Sequence, residues 1–449
     1  MLNFVAIKFV ALALSSTRSL ILAAILGPQS YGVLGTLLLI QQYLSYAALG
    51  MREGVTVRLA QCPDDPNEVA RVRASALAWA AAVGVLVLVA LSAGRSLLPD
   101  LSRYLPWVGA IALLSISNEI LINMNRDQHK LNKIALLEVL YNGAPLVTAL
   151  WLWHDVTMLA VLASLAAGLL FSVIVYLVTL PRVRLAEVDS ATVRALIRTG
   201  LPMAVLSAVT LLVNSVYVVM ANWMALGPIV GLVVFGGNLC TIALFGLNSI
   251  AWAATSRSMR SLYAGGAAAA ERMRAERLRT LFRLGIVVAA PLCLASAGIF
   301  QHVMRAYSGA IVYAFYLCLF QAYGLLLFDE INRLVVTGRS AWVIAGNALL
   351  LVLIFTTHFA FPGASIETLA IVGIAGYFVL AVVAVWYGER QGWLARHHDV
   401  SKWVFLSYPI VCAVLHAAIG AAGAALACAG YATLALASHR AFWRGATRP

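Results

Sequence analysis

The chain has 449 residues, 62% of them hydrophobic and only 11% charged, with a mean hydropathy of +0.91. Soluble domains run about half apolar and about a quarter charged, so a soluble enzyme, a nucleic-acid-binding domain and a disordered chain are excluded together. The formal net charge of +13 comes from basic residues set between apolar runs, which suits a face against anionic lipid headgroups.

A span needs roughly 20 apolar residues to cross about 30 Å of hydrocarbon. The predicted spans are 4–26, 33–50, 73–93, 105–124, 134–153 and 157–180, then, after a polar linker, 200–223, 229–252, 283–301, 309–328, 341–360 and 366–387. The stretch 403–438 is too long for one span and predicts a tight hairpin of two, with Gly420 and Gly423 as candidates for its turn. The fold class is an all-α integral membrane protein of about 14 transmembrane helices, or about 12 to 13 if the Ala- and Gly-rich tail does not turn. The first run holds one early lysine, Lys8, and is interrupted by Ser15, Ser16, Thr17 and Arg18, so it reads as a retained span.

Basic residues give the expected orientation. With the amino terminus in the cytoplasm, Arg52, Arg58, Arg71 and Arg73 follow span 2; Arg126, Lys130 and Lys133 follow span 4; Arg182, Arg184, Arg194 and Arg198 follow span 6. Seven arginines from Arg257 to Arg283 follow span 8, Arg333 and Arg339 span 10, and Arg390, Arg396 and Lys402 span 12; Arg440, Arg444 and Arg448 lie in the tail. Only Arg95, Arg103 and Arg305 fall outside. This is the positive-inside pattern of a multi-pass protein of the bacterial cytoplasmic (inner) membrane with both termini in the cytoplasm. Trp107, Trp151, Trp153, Trp223, Trp252, Trp342, Trp386 and Trp403 stand near span ends, where the ring anchors at the interface.

Two cytoplasmic segments predict interfacial helices. Asp189 or Ser190 caps the first, over 191–199, which Gly200 and Pro202 break before span 7. The second covers 267–284. The six cysteines, Cys62, Cys240, Cys293, Cys318, Cys412 and Cys428, are scattered singly and read as small apolar residues. There is no His-Glu-x-x-His, no phosphate-cradling Gly-x-x-x-x-Gly-Lys and no serine elbow, so no enzyme, metal or cofactor is expected.

An internal repeat organises the spans. Leu26-Gly27-Pro28 closes span 1 and Leu226-Gly227-Pro228 closes span 7, and spans 4 and 10 both end in carboxylate, asparagine and arginine: Glu119 with Asn125-Arg126, Glu330 with Asn332-Arg333. Two related lobes with a substrate between them are typical of transporters. The expected domains are an amino-terminal six-helix lobe (1–180), a cytoplasmic linker helix (181–199), a second six-helix lobe (200–390), and a carboxy-terminal hairpin and tail (391–449).

The run Leu26-Gly27-Pro28-Gln29-Ser30-Tyr31-Gly32, the later Leu49-Gly50-Met51 and the basic lead Leu196-Ile197-Arg198-Thr199-Gly200-Leu201-Pro202 resemble the polysaccharide transporter family. These are the O-antigen-type lipid-linked oligosaccharide flippases of the multidrug/oligosaccharidyl-lipid/polysaccharide exporter superfamily. The resemblance implies a flippase that moves polyprenyl-diphosphate-linked oligosaccharide from the cytoplasmic to the outer leaflet by alternating access, for surface polysaccharide such as O-antigen or exopolysaccharide. Expected partners are that lipid, anionic membrane lipids and other polysaccharide assembly proteins, with no nucleic acid. Relatives often carry an arginine just before Leu-Gly-Pro; Ala24-Ile25 stand there in this chain, and the basic residue of span 1 is Arg18.

Arg18 lies deep in span 1 beside Ser15, and a central arginine costs at least about 2.5–3.5 kcal/mol unless it meets water or a partner. Its planar guanidinium suits a diphosphate; the alternative is a structural pairing. Asn214 and Tyr217 on span 7, with Asn238 and Asn248 on span 8, are candidates to meet sugar or to bond neighbouring helices. Glu119, Glu138, Asp329 and Glu330 are candidates for ion or proton coupling, or for ion pairs with nearby Arg126, Lys130, Lys133 or Arg333. Two other functions compete. A cation-coupled multidrug exporter of the same superfamily would carry acids deep in the lobes, and an integral-membrane glycan polymerase or transferase would carry a large outside loop.

Overall fold

The computed structural model describes residues 2–61, 65–94, 101–127, 131–153, 155–180, 187–263, 269–391 and 400–446. Sixteen α-helices follow in order: α1 (Leu2–Ser45), α2 (Met51–Gln61), α3 (Pro66–Ala93), α4 (Leu105–Asp127), α5 (Leu131–Trp151), α6 (Met158–Thr179), α7 (Ser190–Trp223) and α8 (Pro228–Tyr263). Then come α9 (Ala269–Ala295), α10 (Ala297–Val303), α11 (Ala310–Leu326), α12 (Phe328–Val336), α13 (Ser340–Ala360), α14 (Ile366–Arg390), α15 (Val400–Ile419) and α16 (Ala421–Ala446).

Among the described residues nine helices are long and apolar enough to cross a membrane, and four shorter apolar ones accompany them. The first of the nine is two helices in one: Gly27 turns out of the helix with φ 69° and ψ 167°, and Pro28 restarts it. Together these make fourteen apolar segments in the expected order. The tail turns as expected at Gly420, with φ +68° and its N–H donating to the His416 carbonyl at 2.8 Å. Gly423 lets α16 lie against α15, because a Cβ there would strike the Leu415 carbonyl.

The chain forms two compact units, Met1–Leu211 and Leu212–Pro449. In the first, α4 is central, packed on α3, α6, α1 and α2. Ala112, Ile116, Ile120, Leu121 and Met124 form its buried stripe. In the second, α11 is central, packed on α8, α9, α14 and α15. It is apolar all round and buries Ala314, Phe315, Leu319, Phe320 and Tyr323 completely. These are spans 4 and 10 of the repeat. Asn125 lies within α4 and Asn332 on α12, beyond the end of α11, and both are buried.

Two expected boundaries are corrected. The linker helix 191–199 is not separate: α7 runs unbroken through Gly200 and Pro202. Asp189 caps it as expected, accepting from the backbone of Ala191 (3.1 Å) and Thr192 (2.9 Å) and from the Thr192 hydroxyl (2.7 Å). Gly200 serves contact in place of a break. A Cβ on it would collide with the Gly50 carbonyl, and one on Gly54 with the Leu196 carbonyl, so α2 and α7 cross backbone to backbone. The second linker helix, 267–284, likewise continues into span 9 as part of α9; residues 264–268 lie outside the described ones.

Candidate functional site

The end of the second span carries a cluster of charges in the first unit. Ser45 leads into a 3-10 turn, Tyr46–Ala48, and Leu49 (φ 53°) and Gly50 (φ 81°) then take left-handed conformations. That break redirects the chain into α2, whose Met51, Val55 and Leu59 bury against α4 and its neighbours. Arg52 and Glu53 therefore come back toward the unit instead of trailing into a loop.

Arg52 Nη1 donates to Glu119 Oε2 of α4 at 2.9 Å. Its Nε and Nη2 donate to Glu53 Oε1 at 2.9 and 2.5 Å. One turn on, the Thr56 hydroxyl donates to Asn123 Oδ1 at 3.1 Å, and Asn123 Nδ2 donates to the Glu119 carbonyl at 2.8 Å. Both cross-helix pairs are 67 residues apart, so α2 and α4 run parallel through this contact. The Tyr46 ring lies 6.0 Å from the guanidinium centre. Ser45, Tyr46, Gly50, Glu53, Glu119 and Ala204 border a cleft of about 10 Å³, enough for one water. Glu53 is nearly enclosed at 11% side-chain exposure, while Arg52 and Glu119 remain about a third open at 31% and 35%. Three of the five guanidinium N–H donors go to the two carboxylates in these bonds, and the Tyr46 side chain bonds the same guanidinium.

Arg52 is part of a structured ion cluster, and Glu119 pairs with it, a partner that the sequence did not suggest. Lys133 donates to Asn125 Oδ1 at 3.3 Å and to the Thr179 hydroxyl, with its ammonium 4.9 Å from the Tyr176 ring. Lys130 and the Arg126 side chain lie outside the described residues. The spacing of Arg52 and Glu119 along the chain hides their contact; the Leu49-Gly50 pair was the one local sign of a turn there.

Arg18 is half-buried on α1 and donates from Nη1 to Asn142 Oδ1 on α5 at 3.2 Å. Asn142 Nδ2 in turn donates to the Glu138 carbonyl at 2.9 Å. Ser15 lies one turn before Arg18 and is also half-buried. Arg18 thus belongs to the α1–α5 contact, where Glu138 takes part through its main-chain carbonyl.

In the second unit the candidates are dispersed. Asn214 and Asn248 are exposed, Asn238 is half-buried, and Tyr217 is buried with its hydroxyl against Gly373, where a Cβ would collide with it. Tyr217 meets Phe320 edge to face at 5.4 Å and is part of the core. Glu330 lines a separate cavity among α12, α13 and α14. The Asp329 side chain lies outside the described residues. Among those residues no group of three or more His, Cys, Asp or Glu is placed to hold a metal.

No family model matches the chain, and no curated protein does. Solved structures do. A multidrug resistance MATE family transporter of the MOP superfamily, in its inward-facing conformation, is similar at TM-score 0.64 and 16% identity, over 87% of this chain and 97% of that one. An outward-facing conformation of a MATE family transporter gives 0.60 at 16% identity, over 87% and 95%. A MOP superfamily transporter from Pyrococcus furiosus, described as having a binding pocket of reverse polarity that suggests a different function, gives 0.55 at 15% identity, over 87% and 95%. At these identities the likeness is one of fold: the chain has the all-helical, multi-pass fold of MOP superfamily transporters.

Proposed function

We propose that the chain is a flippase for polyprenyl-diphosphate-linked oligosaccharide, carrying the headgroup from the cytoplasmic to the outer leaflet of the bacterial inner membrane by alternating access, with both termini in the cytoplasm. The transporter fold supports transport. The observation that carries the choice of an anionic substrate is Arg52, a guanidinium at the end of an apolar segment whose carboxylate partners occupy three of its donors. A phosphate would take the place of Glu119, the more open of the two carboxylates, on the guanidinium. Arg18, with Ser15, is a second contact one reorientation away from its Asn142 bond, and Asn214, Asn238 and Asn248 supply amides for sugar hydroxyls. A potential of 100 mV contributes about 2.3 kcal/mol per charge moved, and a negative interior favours an outward-moving anion.

The test follows lipid-linked glycan in cells depleted of the protein, with a membrane-impermeant glycan probe on spheroplasts. Glycan held at the cytoplasmic face, and restored to the outer face by the wild-type chain, supports the reading. Arg52→Ala and Arg18→Ala are each expected to reduce that restoration at unchanged protein level. Normal outer-face display in depleted cells, together with altered efflux of organic cations, favours the cation-coupled exporter, a reading that the multidrug transporters sharing this fold keep in play.

A further inference from the structure

The second unit holds a cavity of about 480 Å³ that includes none of the groups assigned to the substrate. Its wall is apolar almost throughout, with Leu334, Leu349, Val383 and Val385 among its residues; Glu330 and Asn347 bring the polar groups, and Trp342, Tyr377 and Tyr387 the rings. Trp342 and Tyr387 are paired at 5.3 Å. Both stand at one end of their helices: α13 starts at Ser340 and α14 ends at Arg390. That is the level where aromatic belts meet the headgroups. From Trp342 to Leu349 the wall continues about 10 Å along α13 toward the hydrocarbon. Trp342, Leu349 and Val383 are each more than half exposed, so the cavity opens on the side of the unit, where a membrane offers acyl chains.

Three arginines stand in sequence within one helical turn of lining residues, Arg333 beside Leu334, Arg339 before Trp342 and Arg390 after Tyr387, and they bear on the choice of headgroup. Arg333 ends α12, Arg339 precedes α13 and Arg390 ends α14, its guanidinium 5.3 Å from the Trp386 ring. Glu330 is in the wall itself. A purely anionic headgroup would meet that carboxylate on entering. A zwitterion with a phosphate and a primary ammonium satisfies both signs: phosphate toward the arginine-bearing helix ends, ammonium toward Glu330 and the face of Trp342. We infer that this cavity binds one aminophospholipid of the phosphatidylethanolamine class, with an acyl chain inside and the ammonium at Glu330. The site is independent of what the chain transports.

The test uses the purified full-length protein in detergent micelles, titrated with phosphatidylethanolamine or phosphatidylglycerol brominated on its acyl chains. Subtracting the signal of Trp342→Phe isolates quenching at Trp342. The ethanolamine lipid is expected to quench it at a mole fraction at least about fivefold lower than the glycerol lipid, and Glu330→Gln to bring the two within about twofold. Gly346→Leu places a side chain in the cavity from a position where a Cβ meets nothing within 4 Å; it is expected to remove Trp342 quenching by both lipids while the thermal midpoint holds. Equal quenching by the two lipids in the wild type overturns the proposal, as does stronger quenching by phosphatidylglycerol or by a brominated polyprenyl phosphate. So does an ethanolamine preference that survives Glu330→Gln. If Glu330→Gln yields no folded protein, the wild type decides with the trimethylated choline headgroup. Weaker quenching by the choline lipid supports a hydrogen-bonded ammonium, and equal quenching overturns it.

Discussion

Arg52 is held by two carboxylates of unequal exposure, and that inequality sets what each substitution costs. Glu53 is nearly enclosed and Glu119 a third open. Arg52→Ala strands an enclosed Glu53 without its cation, whereas Glu119→Gln removes the outer partner and leaves Arg52 on Glu53. We expect Arg52→Ala to lower the thermal midpoint in detergent well beyond Glu119→Gln. A double-mutant cycle should give a coupling of about 1 kcal/mol for Arg52 with Glu119, given its exposure, and a larger one for Arg52 with Glu53. Additive effects of Arg52→Ala and Glu53→Ala would show that the pair stabilises nothing. Asp189 gives a pH-dependent counterpart outside the spans. The Thr192 hydroxyl, then the Thr192 and Ala191 amides, hold its carboxyl below the ordinary carboxylate range. The contribution of a depressed acid is complete above the unfolded value, about 4, and is lost as pH falls through the folded one. Hydrogen exchange at the Ala191 and Thr192 amides is therefore expected to accelerate, beyond its intrinsic pH dependence, only below that range, and Asp189→Ala to remove the protection already at neutral pH.

The same glycines that look like breakers in the sequence act as contact points between helices. Gly200 and Pro202 suggested the end of a linker helix, yet α7 runs through them, 34 residues in all. Transmembrane helices tolerate a proline where neighbours satisfy the freed carbonyl, and Gly200 is where Gly50 and Gly54 approach. The Gly54 N–H still donates to the Gly50 carbonyl at 2.9 Å, so α2 keeps its helical bond at the crossing. Gly54→Ala and Gly200→Ala each place a methyl into backbone and are expected to cost about 1–3 kcal/mol, the range for overpacking. Gly246→Ala, with nothing within 4 Å of the added Cβ, is expected to leave stability unchanged or slightly raised. Thermal unfolding of the three variants separates crowding from helix propensity, because propensity alone favours alanine at every one of these positions. Equal midpoints for all three would mean that α2 and α7 do not touch there.

Hydropathy made the succession of spans readable in advance, because each segment must satisfy its own backbone in lipid and so declares itself locally. Pairing across the bundle does not declare itself. Nothing near Arg52 in sequence names Glu119, and nothing near Trp342 names Tyr387. The repeat was legible at Gly27 and Gly227, both of which take positive φ before a proline, and in the central helices it led to. Topology is where the local signals add up to one global consequence. Fourteen crossings return the chain to its starting side, whereas thirteen leave the termini opposed, and Gly420 decides between them. Reporter fusions at residue 2 and at residue 446 are expected to report the same side, and a fusion in the 361–365 turn between α13 and α14 the other. Gly420→Val places a β-branched side chain at φ +68°, a backbone conformation costing it roughly 1–2 kcal/mol or more. Against the apolar length of α16 that penalty is too small to expel the helix, so the carboxy-terminal reporter should stay on its side while stability drops. A carboxy-terminal reporter opposite the amino terminus in the wild type would show that α15 and α16 do not cross as a hairpin.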